Sequence, residues 1–163
     1  MQSRQSTATR LAVAFLAFGL FLSAARPAEA FLDKTRFAAH LGIAYFCFHH
    51  WVMKPYGEGQ FVSGAPHRTS ALVKGGVALL FAVHEVQVAA KIARLSKDPL
   101  LQKLSGSVGT LTNSFASVGQ RLKGGKFSPD DVKMLDSATS TVGAQAAAGG
   151  APIKDVPVPI PGG

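Results

Sequence analysis

The stretch LQKLSGSVGTLTNSFASVGQRL, residues 101–122, decides the fold, because its apolar residues recur at helical spacing. The apolar positions alternate steps of three and four: Leu101, Leu104, Val108, Leu111, Phe115, Val118 and Leu122. This a/d seam predicts a long amphipathic helix. Gly106, Gly109 and Gly119 each lower its intrinsic helicity by roughly 1 kcal/mol. We therefore expect the helix to depend on packing in an intramolecular bundle rather than to form a free coiled coil.

A second amphipathic helix is predicted directly downstream. Ser128-Pro129-Asp130-Asp131 is a typical helix start, with a serine cap, a proline in the first turn and two carboxylates at the positive end of the dipole. The three-four spacing then continues at Val132, Leu135, Thr139, Val142 and Ala146, and Gly149-Gly150 ends the helix. Because Gly124-Gly125 joins the two helices, we predict an antiparallel hairpin.

Two more helices are predicted upstream. Residues Thr35 to Lys54 are rich in alanine and carry aromatic side chains on several faces, which predicts a buried helix that Pro55 ends. After a loop rich in glycine and proline, Thr69 or Ser70 is expected to cap a core helix that runs to about Leu95. The predicted fold class is therefore all-α, a small bundle of about four helices.

The two ends of the chain differ from this pattern. Arg4 and Arg10, the apolar run from Leu11 to Ala25, and Ala28-Glu29-Ala30 have the three parts of an export signal. We predict a signal peptide at 1–30 that is cleaved after Ala30, a helical bundle domain at 31–150, and a secreted or extracytoplasmic protein.

The C-terminal segment is predicted to be an extended tail. Residues 151–163 alternate valine or isoleucine with Pro157, Pro159 and Pro161, which fixes φ and favours polyproline II backbone. Such a segment cannot be helical. It lies along the bundle, hangs free, or serves as a ligand for a partner.

Charge and cysteine content narrow the class of protein further. The chain carries a formal net charge of +8, and removal of the leader, with Arg4, Arg10, Arg26 and Glu29, lowers it to +6. A basic excess favours acidic envelope surfaces as partners. The basic residues are scattered, however, so no specific nucleic-acid binding is expected.

Cys47 is the single cysteine, which excludes an internal disulfide and predicts a packed thiol.

Histidines provide the one candidate metal site. All five lie between His40 and His84, in the two most apolar helices and their connection. At 100° per residue, His40, Cys47 and His50 share a side of the first helix. With His84 and Glu85 they would suit zinc, another transition metal or haem. His84-Glu85-Val86-Gln87-Val88 lacks the second histidine of the zinc motif H-E-x-x-H, so metal or haem binding stands as an alternative only.

A membrane hairpin is the other alternative. Phe37 to Met53 and Leu72 to Ala90 are close to membrane-spanning length. Their histidine, lysine, glutamate and glutamine side chains disfavour insertion, and so does the excess of lysine and arginine that export would leave outside. Catalytic motifs such as G-x-S-x-G, G-x-x-x-x-G-K-[ST] and G-x-G-x-x-G do not occur, so no enzymatic activity is predicted.

Three short stretches carry a resemblance. The segments His40-Leu41-Gly42-Ile43-Ala44-Tyr45-Phe46, Trp51-Val52-Met53-Lys54-Pro55-Tyr56 and Gly64-Ala65-Pro66-His67-Arg68-Thr69 resemble parts of small exported bacterial helical proteins that are uncharacterised. The resemblance extends over about half of the segment after the leader. It implies an exported, helical, bacterial protein and no particular activity.

The sequence thus favours an exported helical protein that binds or has a structural role in the cell envelope or the extracellular space. Exposure of the seam from Leu101 to Leu122 in the monomer would favour self-association or binding of a partner helix. If the seam is buried, it is the core of the bundle.

Overall fold

The computed structural model describes residues 28–159. Helix α1 covers residues 28–48 and continues without a break through a π-helical segment, His49–Met53, into the short helix α2, Lys54–Gly57. Helices α3, Arg68–Leu95, α4, Pro99–Lys123, and α5, Pro129–Ala148, follow. With α1 and α2 counted as one continuous rod, the described range holds four helices and no strand. The prediction of an all-α bundle of about four helices is confirmed.

The ends of the chain fall partly outside this range. The predicted signal peptide lies outside the described residues except for residues 28–30, which are helical. Residues 28–32 belong to a separate unit, and the bundle is a compact unit that begins at Asp33. Phe31 and Leu32, the last residues of the first unit, are 69% and 58% exposed.

Successive helices run antiparallel, as contacts between their ends indicate. His40 on α1 meets Glu85 near the end of α3, whereas Trp51 lies close to Gly75 near its start. The start of α3 also lies beside the end of α4, because Gly76 faces Leu122. Arg121 at the end of α4 pairs with Asp131 at the start of α5. The predicted α4–α5 hairpin is therefore present.

The seam of α4 is the centre of the core. All seven of its predicted apolar residues are 2% exposed or less. On α5 the five predicted positions, Val132 to Ala146, are buried as well. Phe48 on α1 packs edge-on against Phe115, with ring centroids 6.0 Å apart. Because the seam is covered within the chain, it is core and does not offer a surface to a partner helix.

Helix α4 has an N-terminal cap that the sequence pattern did not identify. The Asp98 carboxylate accepts hydrogen bonds from the backbone N–H groups of Leu100 and Leu101 at 2.9 and 3.2 Å. It also lies 3.0 Å from the ammonium group of Lys34. Burial alone would raise the pKa of Asp98, but these donors stabilise the carboxylate, so the pKa is lowered overall.

Helix α5 starts as predicted. The Asp131 carboxylate accepts a hydrogen bond from the backbone N–H of Ser128 at 2.9 Å and another from Arg121 Nε at 2.8 Å. Burial opposes ionisation of Asp131, yet the donors outweigh it and lower its pKa. The helix ends at Ala148, and Gly150 then takes a left-handed φ of +80°, as the Gly149-Gly150 pair predicted.

The start of α3 differs from the prediction. The residue at the cap is His67, not Thr69 or Ser70, and no side chain caps the first turn. His67 has a φ of +63° and is the only non-glycine with a positive φ in the described range. This left-handed residue turns the chain from the loop into α3, so the helix begins earlier than a hydroxyl cap would have placed it.

The proline tail lies against α1 over the described residues. The backbone N–H of Val156 donates to the carbonyl oxygen of Gly42 at 3.0 Å, and His49 Nδ1 lies 2.8 Å from the Asp155 carboxylate. A side chain at Gly42 would contact the carbonyl oxygen of Lys154. Glycine is therefore required here because the tail backbone approaches α1 closely.

Among the described residues, one helix is long and apolar enough to cross a membrane by length and composition. It is α3, whose most apolar window has a mean hydropathy of 1.5. Only 44% of that window is buried within the chain. The core helix of a bundle passes the same test, so length and hydropathy do not distinguish a membrane-spanning helix from a core helix.

Candidate functional site

The five predicted metal ligands do not come together. His40 Nδ1 lies 2.6 Å from the Glu85 carboxylate, and Cys47 is close enough for the Glu85 charge to affect its thiol. His84 is exposed on α3, and His50 is exposed and lies beside Trp51. In the range 28–159, no group of three or more His, Cys, Asp or Glu side chains is placed to hold a metal ion.

Cys47 is a packed thiol, as its position between two phenylalanines predicted. Its side chain is fully buried, and burial, helped by the nearby Glu85 charge, raises the pKa of the thiol to about 12. The reactive form of cysteine is the thiolate. At neutral pH Cys47 is therefore a buried, protonated thiol rather than an activated nucleophile.

A different set of side chains surrounds a cavity of about 370 Å³ at the other end of α1. We call it the Trp51 pocket. Its polar and aromatic lining comprises His50, Trp51, Lys54, Glu58, Gln60, His67, Ser70 and Lys74. The residues come from three parts of the chain: the π-helical segment with α2, the loop, and the first turns of α3.

Pro55 explains the shape of the π-helical segment, which forms one wall of the Trp51 pocket. Proline has no N–H and cannot bond to the carbonyl oxygen of Trp51, so a regular α-helix is interrupted there. The helix does not end at Lys54 as predicted. It widens instead, and the Lys54 N–H donates to the carbonyl oxygen of His49 in a π-type turn. Such turns occur frequently at functional sites because they change the direction of side chains.

The opposite wall is held close by a glycine. Gly75 on α3 faces the Trp51 carbonyl, and a Cβ atom at this position would lie 3.0 Å from that oxygen. The absence of a side chain lets α3 approach the π-helical segment. This approach places Lys74 over the indole ring of Trp51, 5.8 Å from its centroid.

The pocket carries a net positive charge, with Lys54 and Lys74 against one acidic side chain, Glu58. Neither Lys54 nor Lys74 has an acidic partner among the ion pairs of the described residues. The one acidic side chain in the lining, Glu58, accepts a hydrogen bond from Gln60 at 2.7 Å. The first turn of α3, which has no side-chain cap, adds the positive end of a 28-residue helix near Ser70.

Trp51 contributes an unpaired donor. Its indole Nε1 is the one buried side-chain nitrogen or oxygen, within the described part of the chain, that has no hydrogen-bond partner. A buried N–H without an acceptor costs about 1–3 kcal/mol. The ring is otherwise well packed, with His50 4.9 Å away, centroid to centroid, in an edge-on contact.

The Trp51 pocket is suited to a group that is negatively charged and carries acceptor oxygens. Its lining offers two ammonium groups and a hydroxyl as donors, against the single carboxylate of Glu58. Of the predicted ligands only His50 is in this lining; Lys74 and His67 were missed, because nothing in their local sequence marks them. The one available signal was Pro55, which follows His49, His50 and Trp51 in the sequence.

Comparisons of the chain with protein-family models, with curated proteins and with solved structures give no match.

Proposed function

We propose that this chain is an exported bacterial binding protein without enzymatic activity, which captures an anionic envelope component through the Trp51 pocket. The observation that carries the proposal is the pair of lysines, Lys54 and Lys74, that stand beside Trp51 without acidic partners. A ligand that bears carboxylate or phosphate groups would supply the missing negative charge.

Binding fits the chemistry of the pocket better than catalysis. The one thiol of the chain is buried outside the pocket with a raised pKa, so it is not placed to act on a ligand bound there. His50 is engaged with aromatic rings, stacking on Phe46 at a centroid distance of 5.0 Å. The pocket therefore supplies charge and donors rather than an activated nucleophile.

Export rests on the sequence of the leader and is compatible with the properties of the folded bundle. A buried Cys47 leaves no accessible thiol to cross-link in an oxidising compartment. A basic surface is attracted to the acidic polymers and lipids of a cell envelope. The envelope or the extracellular space is therefore the proposed location.

Fluorescence of Trp51 tests the binding proposal directly, because it is the only tryptophan in the chain. The protein is titrated with polyphosphate and polyglutamate, with neutral dextran as the control polymer. We expect a saturable emission change with the anionic polymers only. Replacement of both lysines, Lys54→Met with Lys74→Met, should weaken this binding by about tenfold or more.

The matched control removes the same charge elsewhere. Lys91 and Lys103 are exposed on α3 and α4, outside the pocket. If Lys91→Met with Lys103→Met weakened binding as much, net charge rather than the pocket would be responsible. An unchanged Trp51 emission at saturating polymer would overturn the proposal.

Export has its own test. Mass spectrometry of the protein recovered from cells that express the full chain should identify Phe31 as the N-terminal residue, in the extracytoplasmic fraction. Recovery of an intact leader in the cytoplasm would contradict export, and it would leave the binding test unaffected.

A further inference from the structure

A second cavity borders the same end of α3 and shares no lining residue with the Trp51 pocket. It is a groove of about 480 Å³ between α3 and the end of α4, and we call it the α3–α4 groove. Its apolar lining consists of Leu72, Val73, Gly76, Val77, Leu80 and Leu122. The volume is within the roughly 300–1,000 Å³ typical of small-molecule sites.

Two apolar side chains in the wall of this groove are left exposed by the bundle. Val73 is 59% exposed and Leu80 is 42% exposed, although both lie on the most apolar helix of the described chain. Farther along α3, the exposed positions are polar or charged, as at His84, Gln87 and Lys91, except for Leu95 at the end of the helix, which is 73% exposed. The exposed apolar stripe is thus concentrated in the first half of the helix, beside the groove.

Gly76 deepens the groove. A Cβ atom here would meet only Leu122 Cδ2 at 3.7 Å and the Lys123 backbone nitrogen at 3.9 Å, which are ordinary contacts. The core packing therefore does not require glycine at this position. Its effect is to leave open the space toward Leu122, another residue of the groove wall.

The groove is charged at one end only. Arg68 and Lys123 line it where α3 begins and α4 ends, and no acidic residue is in its lining. The Arg68 Nε donates to the carbonyl oxygen of Phe61 at 3.1 Å, which leaves the terminal guanidinium nitrogens for a ligand. Lys123 is exposed and has no ion pair among the described residues.

The length of the apolar part matches an acyl chain. From Arg68 to Leu80 the helix rises by roughly 18 Å. The acyl chains of one lipid leaflet span about half of a hydrocarbon core of ~30 Å. A chain of roughly 15 Å from the cationic end would therefore end about 3 Å short of the Leu80 backbone, close to its side chain, because helical side chains tilt toward the N-terminus.

We propose that the α3–α4 groove binds a free fatty acid, with the carboxylate at Arg68 and Lys123 and the acyl chain against Val73, Val77 and Leu80. The charge at one end and the apolar wall along the rest complement the two parts of this ligand. The proposal is independent of the Trp51 pocket, because the two cavities have no residue in common.

Calorimetric titration with dodecanoate tests the proposal on protein from cells that express the full chain. We expect one-to-one binding that Leu80→Asp weakens by at least about tenfold, because a carboxylate in the groove repels the ligand and interrupts the apolar wall. Lys123→Met should weaken dodecanoate but leave the neutral-headed dodecyl maltoside unchanged. Val73→Asp is a second groove variant, at a position exposed enough to tolerate the charge.

The matched control is Met134→Asp, since Met134 is 39% exposed on α5 against 42% for Leu80 and lies outside the groove. It should bind dodecanoate like the wild type. Absence of binding to dodecanoate, or equal losses in the Leu80 and Met134 variants, would overturn the proposal. Binding only to phosphatidylglycerol vesicles would overturn it in favour of a membrane surface, and a dimer abolished by Leu80→Asp would do so in favour of a second copy.

Discussion

The α4–α5 hairpin and the first helix are stabilised in different ways. In the hairpin, a three-four spacing of apolar residues places every seam position in the core, and Asp98 and Asp131 stabilise the helix starts. The first helix obtains its contacts from distant parts of the chain, such as the bond from the Tyr45 hydroxyl to the Thr139 carbonyl at 2.6 Å. Regular spacing therefore accounts for the hairpin, whereas the first helix depends on long-range partners.

The largest expected effect tests the seam. Phe115→Ala should lower the free energy of unfolding by about 3–5 kcal/mol, because it leaves a cavity at a fully buried position. Phe46→Ala, at a half-buried position of the first helix, should cost clearly less. Urea unfolding followed by circular dichroism measures both. An equal loss of unfolding free energy in the two variants would contradict the proposed difference between the hairpin and the first helix.

Alkaline pH should weaken the first helix selectively. Burial raises the pKa of Cys47 to about 12 from 9.0, and burial also raises the pKa of Tyr45 above its ordinary 10.0. The unfolded chain then loses protons that the folded chain keeps, so the free energy of unfolding falls as pH rises above 9. We expect a loss of roughly 3 kcal/mol between pH 9 and 11.

Urea unfolding at fixed pH values measures this loss, and Cys47→Ala provides the control. Without the thiol, the fall between pH 9 and 10 should disappear, while the fall above pH 10 that belongs to Tyr45 should persist. A variant that lost stability below pH 10 as steeply as the wild type would show that another group is responsible.

Gly42→Ala should detach the tail. The added methyl group would contact the Lys154 carbonyl oxygen and lie 2.8 Å from Val156 Cγ2, and a backbone atom cannot rotate away as a side chain end does. The tail must move, with loss of the Val156 hydrogen bond, at a cost of about 1–3 kcal/mol. Limited trypsin digestion followed by mass spectrometry should show faster cleavage after Lys154.

The glycine at position 106 gives the matched comparison on α4. A Cβ there would meet no atom within 4 Å, so Gly106→Ala should stabilise the chain by about 0.5–1 kcal/mol through helix propensity alone. Opposite signs for the two glycine variants are the expected result. A tail equally resistant to trypsin in Gly42→Ala and the wild type would contradict the role given to the close approach.

The smallest expected loss of stability is at the cap of α4. Asp98→Ala should cost about 1–2 kcal/mol, because two backbone N–H groups and Lys34 lose their acceptor. Since the pKa of Asp98 is lowered in the folded chain, its contribution is present above the ordinary value of 3.8 and is lost as pH falls below it. Urea unfolding from pH 6 to pH 3 should therefore be less pH-dependent in the variant.

The sequence predicted the fold where local signals agree with one another. The seam from Leu101 to Leu122, the start at Ser128 and the stop at Gly149 were all identified, because spacing and caps depend on neighbouring residues. It did not predict that the helix passes through Pro55, since the chain accommodates this proline in a π-type turn that the local sequence does not mark. Nor did it predict His67 as the cap, because a left-handed histidine is fixed by the loop that precedes it.

The candidate site was less accessible to sequence reasoning than the fold. His40 and Glu85 do meet, as their placement on two facing helices allowed, but His84 points to solvent one position away. Lys74 and His50 line the same pocket only because α3 runs antiparallel to the first helix at close distance. Such pairings depend on helix rotation and approach, which spacing within one helix does not determine.

The contact between the tail and α1 also has a consequence for the order of folding. His49 and Asp155 are separated by 106 residues, whereas the hairpin residues Arg121 and Asp131 are only 10 apart. Long loops close slowly and at a greater entropic cost, so the tail should be the last element to attach. A growing chain must be synthesised beyond Val156 before the tail can cover this face of α1, and a chain that stops before Lys154 leaves it open.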